Sequence, residues 1–232
     1  LAPDRYLGPF GAINPHALVR FVVMIMAVGA MGHVGRRLLG AQYGLAVSGL
    51  AGGFVSSTAT IYSMARLAAR DTLQLRGAAA GAVLSTVATM VQLSLVLWLL
   101  LPQLFLMLAW PLALGGAAAA LYALALLMSS PMQATVAPGD LVHGHAFELK
   151  TTFTLAAFVL LVTLVAAALN AWIGAGSLIY SAAATGLVDA HSIVASVSAL
   201  VGSGKLLLAD TPWAVFAALT SNTVTKAVIV CY

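Results

Sequence analysis

Apolar residues run through this chain in seven long blocks, at 16–34, 44–66, 78–101, 104–128, 149–170, 177–201 and 212–231. Each has the roughly 20 residues that a helix needs to cross about 30 Å of hydrocarbon. Strands of a membrane β-barrel would appear instead as short segments of alternating hydrophobicity, which these Ala/Leu/Val runs are not. The pattern predicts an all-α integral membrane protein of about seven transmembrane helices. Proline punctuates the blocks. Pro15 sits at the first turn of the first, Pro102 divides the third from the fourth, and Pro212 opens the last. Only the link at 129–148, with Pro131, Pro138, Gly139 and Gly144, reads as a substantial loop.

Composition removes the soluble alternative. Hydrophobic residues make up 62% of the 232 positions and charged residues 7%, against about a quarter charged in ordinary soluble domains. That is too little charge to cover a water-facing surface, so the lipid bilayer is the expected surrounding. The formal charge of +4 does not point to nucleic acid, because the basic residues are spread over the links between blocks. A lone cysteine, Cys231, excludes an internal disulfide and any cysteine metal cluster. The chain starts at Leu1 with neither a methionine nor a signal-peptide pattern, and is expected to be part of a longer protein. With seven crossings, Arg5, Arg66, Arg70, Arg76, Lys150 and Lys205 lie on the side where the first helix begins, and only Arg36 and Arg37 on the other. The positive-inside rule then makes the first side cytoplasmic, in a bacterial inner membrane.

A weak internal repeat relates the two halves. Gly53-Phe54-Val55-Ser56 in the second block aligns with Gly186-Leu187-Val188-Asp189 in the sixth at an offset of 133, which also pairs Ser48 with Ser181 and Ser63 with Ser196. Asn14-Pro15-His16-Ala17 resembles Gly144-His145-Ala146 at offset 129, and Ala82-x-Leu84-Ser85 resembles Ala217-x-Leu219-Thr220 at offset 135. One repeat would cover about 14–101 and the other about 144–231, with the helix at about 104–128 as linker in a single transmembrane domain. A displacement of four helices is even, which predicts two parallel three-helix repeats.

Two blocks carry polar stripes at helical spacing: Ser48, Gly52, Ser56, Thr60 and Ser63 in the second, and Ser181, Thr185, Asp189, Ser192 and Ser196 in the sixth. Close packing between helices accounts for most such residues. The run Gly49-x-x-Gly52-Gly53 followed by Ser56-Ser57-Thr58 goes further, because it loosens a helix in mid-membrane, where unwound backbone survives only against protein or water. Asp189 is the only acid deep in a block, where a charge costs at least a few kcal/mol. The counter-reading is a neutral carboxyl that serves as interhelical glue. Lys226 is the one comparably deep base, and Asn222 shares its face four residues earlier. Asp189, Asn222 and Lys226 thus form a candidate polar centre, with Ser56, Ser57, Thr58, Thr60 and Thr185 as further candidate ligands.

His191 follows Asp189 by two positions, which on an unbroken helix is a different face. It is a candidate ligand, with simple hydrogen-bonded packing as the alternative. Arg20 and His33 sit near the ends of the first block, and His143 and His145 lack a third metal ligand. Gly202-Ser203-Gly204-Lys205 is not a P-loop, since Ala199 replaces its first glycine and Leu206 its Ser/Thr. No Ser–His–Asp order or oxyanion turn is present, so no catalytic residue and no enzyme activity is expected.

The string Gly52-Gly53-Phe54-Val55-Ser56-Ser57-Thr58-Ala59 resembles the signature of the uncharacterised membrane domain found C-terminal to MgtC/SapB-like domains. The opening Pro3-Asp4-Arg5, Gly8-Pro9 and Asn14-Pro15, and later Gly186-Leu187-x-Asp189 and Asn222-x-x-x-Lys226, match its other motifs. The resemblance implies an MgtC-like domain upstream and a link to magnesium limitation. It also implies a second acid two residues after the first, where this chain has His191; a missing carboxylate weakens a hard-cation site but not a proton-coupled one.

These readings converge on a bacterial inner-membrane transporter of a cation, a divalent metal such as magnesium, with proton coupling as an option. Its site lies between the second and sixth helices, with Asp189 as the one metal ligand. Magnesium takes only one or two carboxylates and keeps much of its water, so a single acid suffices and no resident cofactor is needed. The alternative is a non-transporting scaffold or regulator of another membrane protein. Small-residue faces serve intermolecular packing as readily as intramolecular, so a homo-oligomer stays open.

Overall fold

Hydrocarbon offers no partners to backbone amides, so runs as apolar as these must satisfy their own hydrogen bonds as helices. In a computed structural model that describes residues 2–8, 12–70, 72–129, 149–174 and 176–231, every regular element is helical and no strand is present among the described residues. The elements are α1 (Pro15–Arg70), α2 (Leu75–Leu100), α3 (Pro102–Met128), α4 (Leu149–Ile173), α5 (Ser177–Gly186), α6 (Ala190–Gly202) and α7 (Thr211–Cys231). Short 3₁₀ turns at Thr72–Gln74 and Leu208–Asp210 lead into α2 and α7. The loop histidines His143 and His145 lie outside the described residues.

Among the described residues, five stretches are long and apolar enough to cross a membrane: Pro15–Val34, Gly44–Arg70, Thr72–Leu100, Pro102–Met128 and Leu208–Cys231. This is a membrane protein. The chain divides into two packing units. One comprises Met26–Gln92, Trp110–Phe147 and Val228–Tyr232, the other Leu1–Ile25, Leu93–Ala109 and Glu148–Ala227.

Within the first unit, α1 is not one straight rod. It turns at Gly44, whose φ of 79° is a left-handed value that suits glycine, and breaks again at Ser56, which is extended (φ −161°, ψ 105°). Beyond Ser56 the helix doubles back. Leu45 and Met64 share one buried cluster with Ala78, although 19 residues of straight helix would hold them roughly 28 Å apart. Thr60 likewise packs beside Gly52 across the bend. The first arm runs alongside α2 at close range: a Cβ on Gly49 would fall on the backbone of Gly81, and one on Gly53 would stand 2.6 Å from Ser85 Cα. The bend lies partway along α2, where Ser57 Oγ meets Ser85 Oγ at 3.3 Å.

The second unit contains a similar reversal. Between α5 and α6 the chain leaves the helix at Leu187–Asp189, and Asp189 is extended (φ −157°, ψ 126°). Asn170, near the end of α4, donates from Nδ2 to the Lys205 carbonyl at 2.9 Å, just past the end of α6. Both the start of α5 and the end of α6 therefore lie at the same end of α4. A continuous helix over 177–202 would have carried Lys205 about 39 Å away. The Thr163–Ser196 hydroxyl contact at 2.9 Å shows that α6 runs in the same direction as α4. Arg20 donates to the Leu99 carbonyl at 3.3 Å, so α1 begins at the end where α2 finishes.

The expected straight second and sixth spans are thus corrected: each is a helical hairpin. The reason is local. Ser56 and Asp189 each start a new helix by capping it with their own side chains, which an extended residue can do and a helical one cannot.

Candidate functional site

Asp189 is the N-cap of α6. Its Oδ2 accepts from the Ser192 backbone N–H at 2.9 Å and from the Ser192 hydroxyl at 2.6 Å; its Oδ1 accepts from the His191 backbone N–H at 3.2 Å. The fourth contact brings His191 Nδ1 to 2.8 Å from Oδ1. The carboxyl is thus used as an acceptor at both atoms. This corrects the expectation that His191 points elsewhere: an extended Asp189 abolishes the roughly 200° turn that two helical steps would have put between the two side chains. His191 Nε2 is buried and has no hydrogen-bond partner among the described residues, so no hydroxyl nucleophile stands on it. One nitrogen held by a carboxylate and the other without a partner is the ring arrangement that imidazole has when it serves as a metal ligand.

The reversal frees backbone groups that α7 and the loop then occupy. Thr185 carbonyl accepts from Val188 N–H at 3.0 Å and Asp189 N–H at 2.9 Å, while Thr185 Oγ1 donates back to Ser181 O at 2.8 Å. Asn222 Nδ2 donates to the Gly186 carbonyl at 3.1 Å, satisfying one of the orphan acceptors at the end of α5. Asn222 therefore pins the bend. Its replacement by alanine should lower stability by about 1 kcal/mol, read as a drop in thermal midpoint in detergent. Lys226 is buried one turn further along α7, and its charge interacts with that of Asp189. Asp189, His191, Ser192, Asn222 and Lys226 are brought together around one break.

Ser56, Ser57, Thr58 and Thr60 belong to the other packing unit. There Ser56 Oγ accepts from Ala59 N–H at 3.3 Å, the same capping role that Asp189 fills for α6. Gln92 on α2 approaches the Phe54 carbonyl at 3.5 Å, close to the end of the first arm. The sequence pattern singles out neither Gln92 nor Thr163; the signal for each is an isolated polar residue within an otherwise apolar block. Among the described residues no cluster of three His, Cys, Asp or Glu side chains could hold a metal.

A family model for a domain of unknown function, DUF4010, matches residues 23–232. The chain belongs to the DUF4010 family. The match spans both hairpins and all of the candidate residues of this DUF4010 chain, and nothing in it carries a link to MgtC or SapB. No curated protein and no solved structure matches the sequence.

Proposed function

We propose that this DUF4010 chain is a cation transporter of the bacterial inner membrane, with Asp189 as the residue that binds the transported or coupling ion. The observation that carries the reading is the break at Asp189: a carboxylate, an imidazole with an unpartnered nitrogen, and a lysine gathered where a helical hairpin reverses. Discontinuous helices of this kind are how transporters place charged ligands and free backbone groups inside the bilayer. Intramembrane ionisable groups are costly enough that a retained one marks a pathway. In this mechanism Asp189 exchanges partners, holding a cation in one state and Lys226 in the other.

The hairpins change the topology that the reading needs. With 44–70 and 177–202 each returning to the side it came from, the crossings are the first part of α1, then α2, α3, α4 and α7. Three crossings then precede α4, an odd number, so the two halves are inverted repeats rather than parallel ones. One offset of 133 supports the duplication: it relates Ser56 to Asp189 and the Gly53 contacts with Ser85 and Ala88 to those of Gly186 with Ala218 and Ser221. The α2–α7 alignment at 135 shifts accordingly. Arg36, Arg37, Arg66, Arg70, Arg76 and Lys150 now fall on one side and Arg5, Arg20 and Lys205 on the other, which makes the side where α1 begins extracytoplasmic. The exposed Trp98, Trp172 and Trp213 all fall at that same extracytoplasmic end, as an interfacial belt would.

Thr72 and Ala209 separate the two topologies. Seven crossings put both on the same side, whereas five crossings and two hairpins put them on opposite sides. In a Cys231→Ser background, Ala209→Cys should react with an impermeant thiol reagent added outside cells, and Thr72→Cys only after the membrane is opened. Labelling of both from one side would overturn the inverted arrangement. Transport itself is tested in proteoliposomes over several metals and pH gradients; no movement of any cation would end the proposal.

A further inference from the structure

The tip of the second hairpin is open. Leu187 and Val188, which turn the chain between α5 and α6, are 50% and 65% exposed, and the Asp189 side chain beside them is 25% exposed. In a continuous helix the Leu187 and Val188 carbonyls would accept from the His191 and Ser192 amides. Here those amides donate to the Asp189 carboxylate instead. Two carbonyls cut off from their helical donors and a partly exposed carboxyl do not stand against hydrocarbon. Irregular backbone at membrane depth is found only against protein or water, and intramembrane acids face the bundle interior or a water-filled cavity. The chain's own side chains leave this tip uncovered, so it faces water.

The depth of the tip decides from which side that water comes. Ser196 lies beside Thr163, and α6 runs in the same direction as α4. Asp189 precedes Ser196 by seven residues, so it stands level with about position 156 of α4. That is roughly 10 Å from the first residue of α4 and roughly 26 Å from the last. Lys150, at the near end, marks the membrane surface. The long way is packed shut: Ile193, Val194, Val197 and Leu200 of α6 have no exposed surface.

The first hairpin differs at the corresponding place. Phe54 and Val55 precede Ser56 as Leu187 and Val188 precede Asp189, yet both are half-buried. The first part of α1 covers them. A Cβ on Gly32 would stand 2.6 Å from Phe54 Cβ and 2.7 Å from the Ala51 carbonyl oxygen, and one on Gly29 would stand 3.9 Å from the Phe54 carbonyl oxygen. In the second repeat α4 holds the place of that first part of α1, and it has no glycine from Leu149 to Ile173, so it has no means of so close an approach. We propose that the ion reaches and leaves Asp189 through water at the Leu187–Val188 tip, from the cytoplasmic side where α4 begins, while Gly29 and Gly32 hold the Phe54–Val55 tip closed. Opening toward the other side then requires the first part of α1 to leave Phe54. This rests on the transporter reading and gives the route by which its ion arrives.

Thiol labelling in intact cells and in inverted vesicles tests it, in a Cys231→Ser background. Val188→Cys should react with a small charged methanethiosulfonate about tenfold faster than Leu161→Cys, which is exposed on the apolar surface of α4, because the reactive thiolate forms in water and not in hydrocarbon. The reagent should reach Val188→Cys only in the preparation that labels Thr72→Cys, and Val55→Cys should stay at the slow rate in both. Leu187→Cys gives the same reading if Val188→Cys does not fold. Equal rates for Val188→Cys and Leu161→Cys would overturn the water-filled tip. Reaction in the preparation that labels Ala209→Cys would overturn the direction, and a fast Val55→Cys would overturn the closed first tip. Labelling needs no transport. A fast Val188→Cys in a protein that moves no cation would sink the transporter reading and leave the open tip; a slow one in a protein that does move a cation would sink the route alone.

Discussion

Asp189→Asn is expected to fold like the parent protein and, under the proposed transport, to move a cation about ten to a hundred times more slowly. Asparagine is as good an N-cap as aspartate, so the Ser192 amide keeps an acceptor and α6 still starts in place. What disappears is the charge, and with it the charge-assisted contact to a bound cation, worth about 1.5–3 kcal/mol; at 1.4 kcal/mol per factor of ten this sets the size of the loss. Flux into proteoliposomes, compared at equal protein and with thermal midpoints measured in parallel, gives the answer. Asp189→Ala separates the two roles, since it removes the cap as well and should lower stability by about a further 1 kcal/mol. Unchanged flux in the asparagine variant would remove Asp189 from the mechanism.

Gly49→Val is expected to yield no monodisperse protein. The added Cβ would lie on the backbone of Gly81, and backbone cannot step aside as a flexible side chain can. Overpacking costs about 1–3 kcal/mol where neighbours can relax, and here the neighbour is itself a helix axis. Contacts between small residues are also what holds membrane helices together, in the absence of a hydrophobic force between them. Gly186→Val should behave alike, because its Cβ would meet the Ala218 backbone. Gly115→Val in α3 is the control: nothing lies within 4 Å of the position its Cβ would take, and it should purify as the parent does. Size-exclusion profiles of the three decide the matter, and a well-behaved Gly49→Val would refute the close approach of the first arm to α2.

Much of the candidate site was legible before any coordinates. An acid in the middle of an apolar run is conspicuous because lipid makes it expensive, and Asn222 and Lys226 stand out on α7 by the same reasoning. The glycines ahead of Ser56 announced a weak point in the second block. The geometry at Asp189 was harder to read. On a continuous helix His191 belongs to another face, yet Asp189 followed three residues later by Ser192 is itself the spacing of a capping residue and its partner. The same spacing also fits a polar stripe on an unbroken helix.

What the sequence determined by itself is the solvent: with so few charges and such long apolar runs, only a helical membrane protein satisfies its backbone. Membership of the DUF4010 family rests on the sequence as well. What only the tertiary structure decided is the direction of the chain. An apolar run of about 25 residues buries the same surface whether it crosses the bilayer or turns back halfway, so hydropathy cannot tell the two apart. The difference lies in two extended residues, Ser56 and Asp189, and in contacts far apart in sequence, such as Leu45 with Met64 and Asn170 with Lys205. Those contacts turn the second and sixth expected spans back on themselves as helical hairpins.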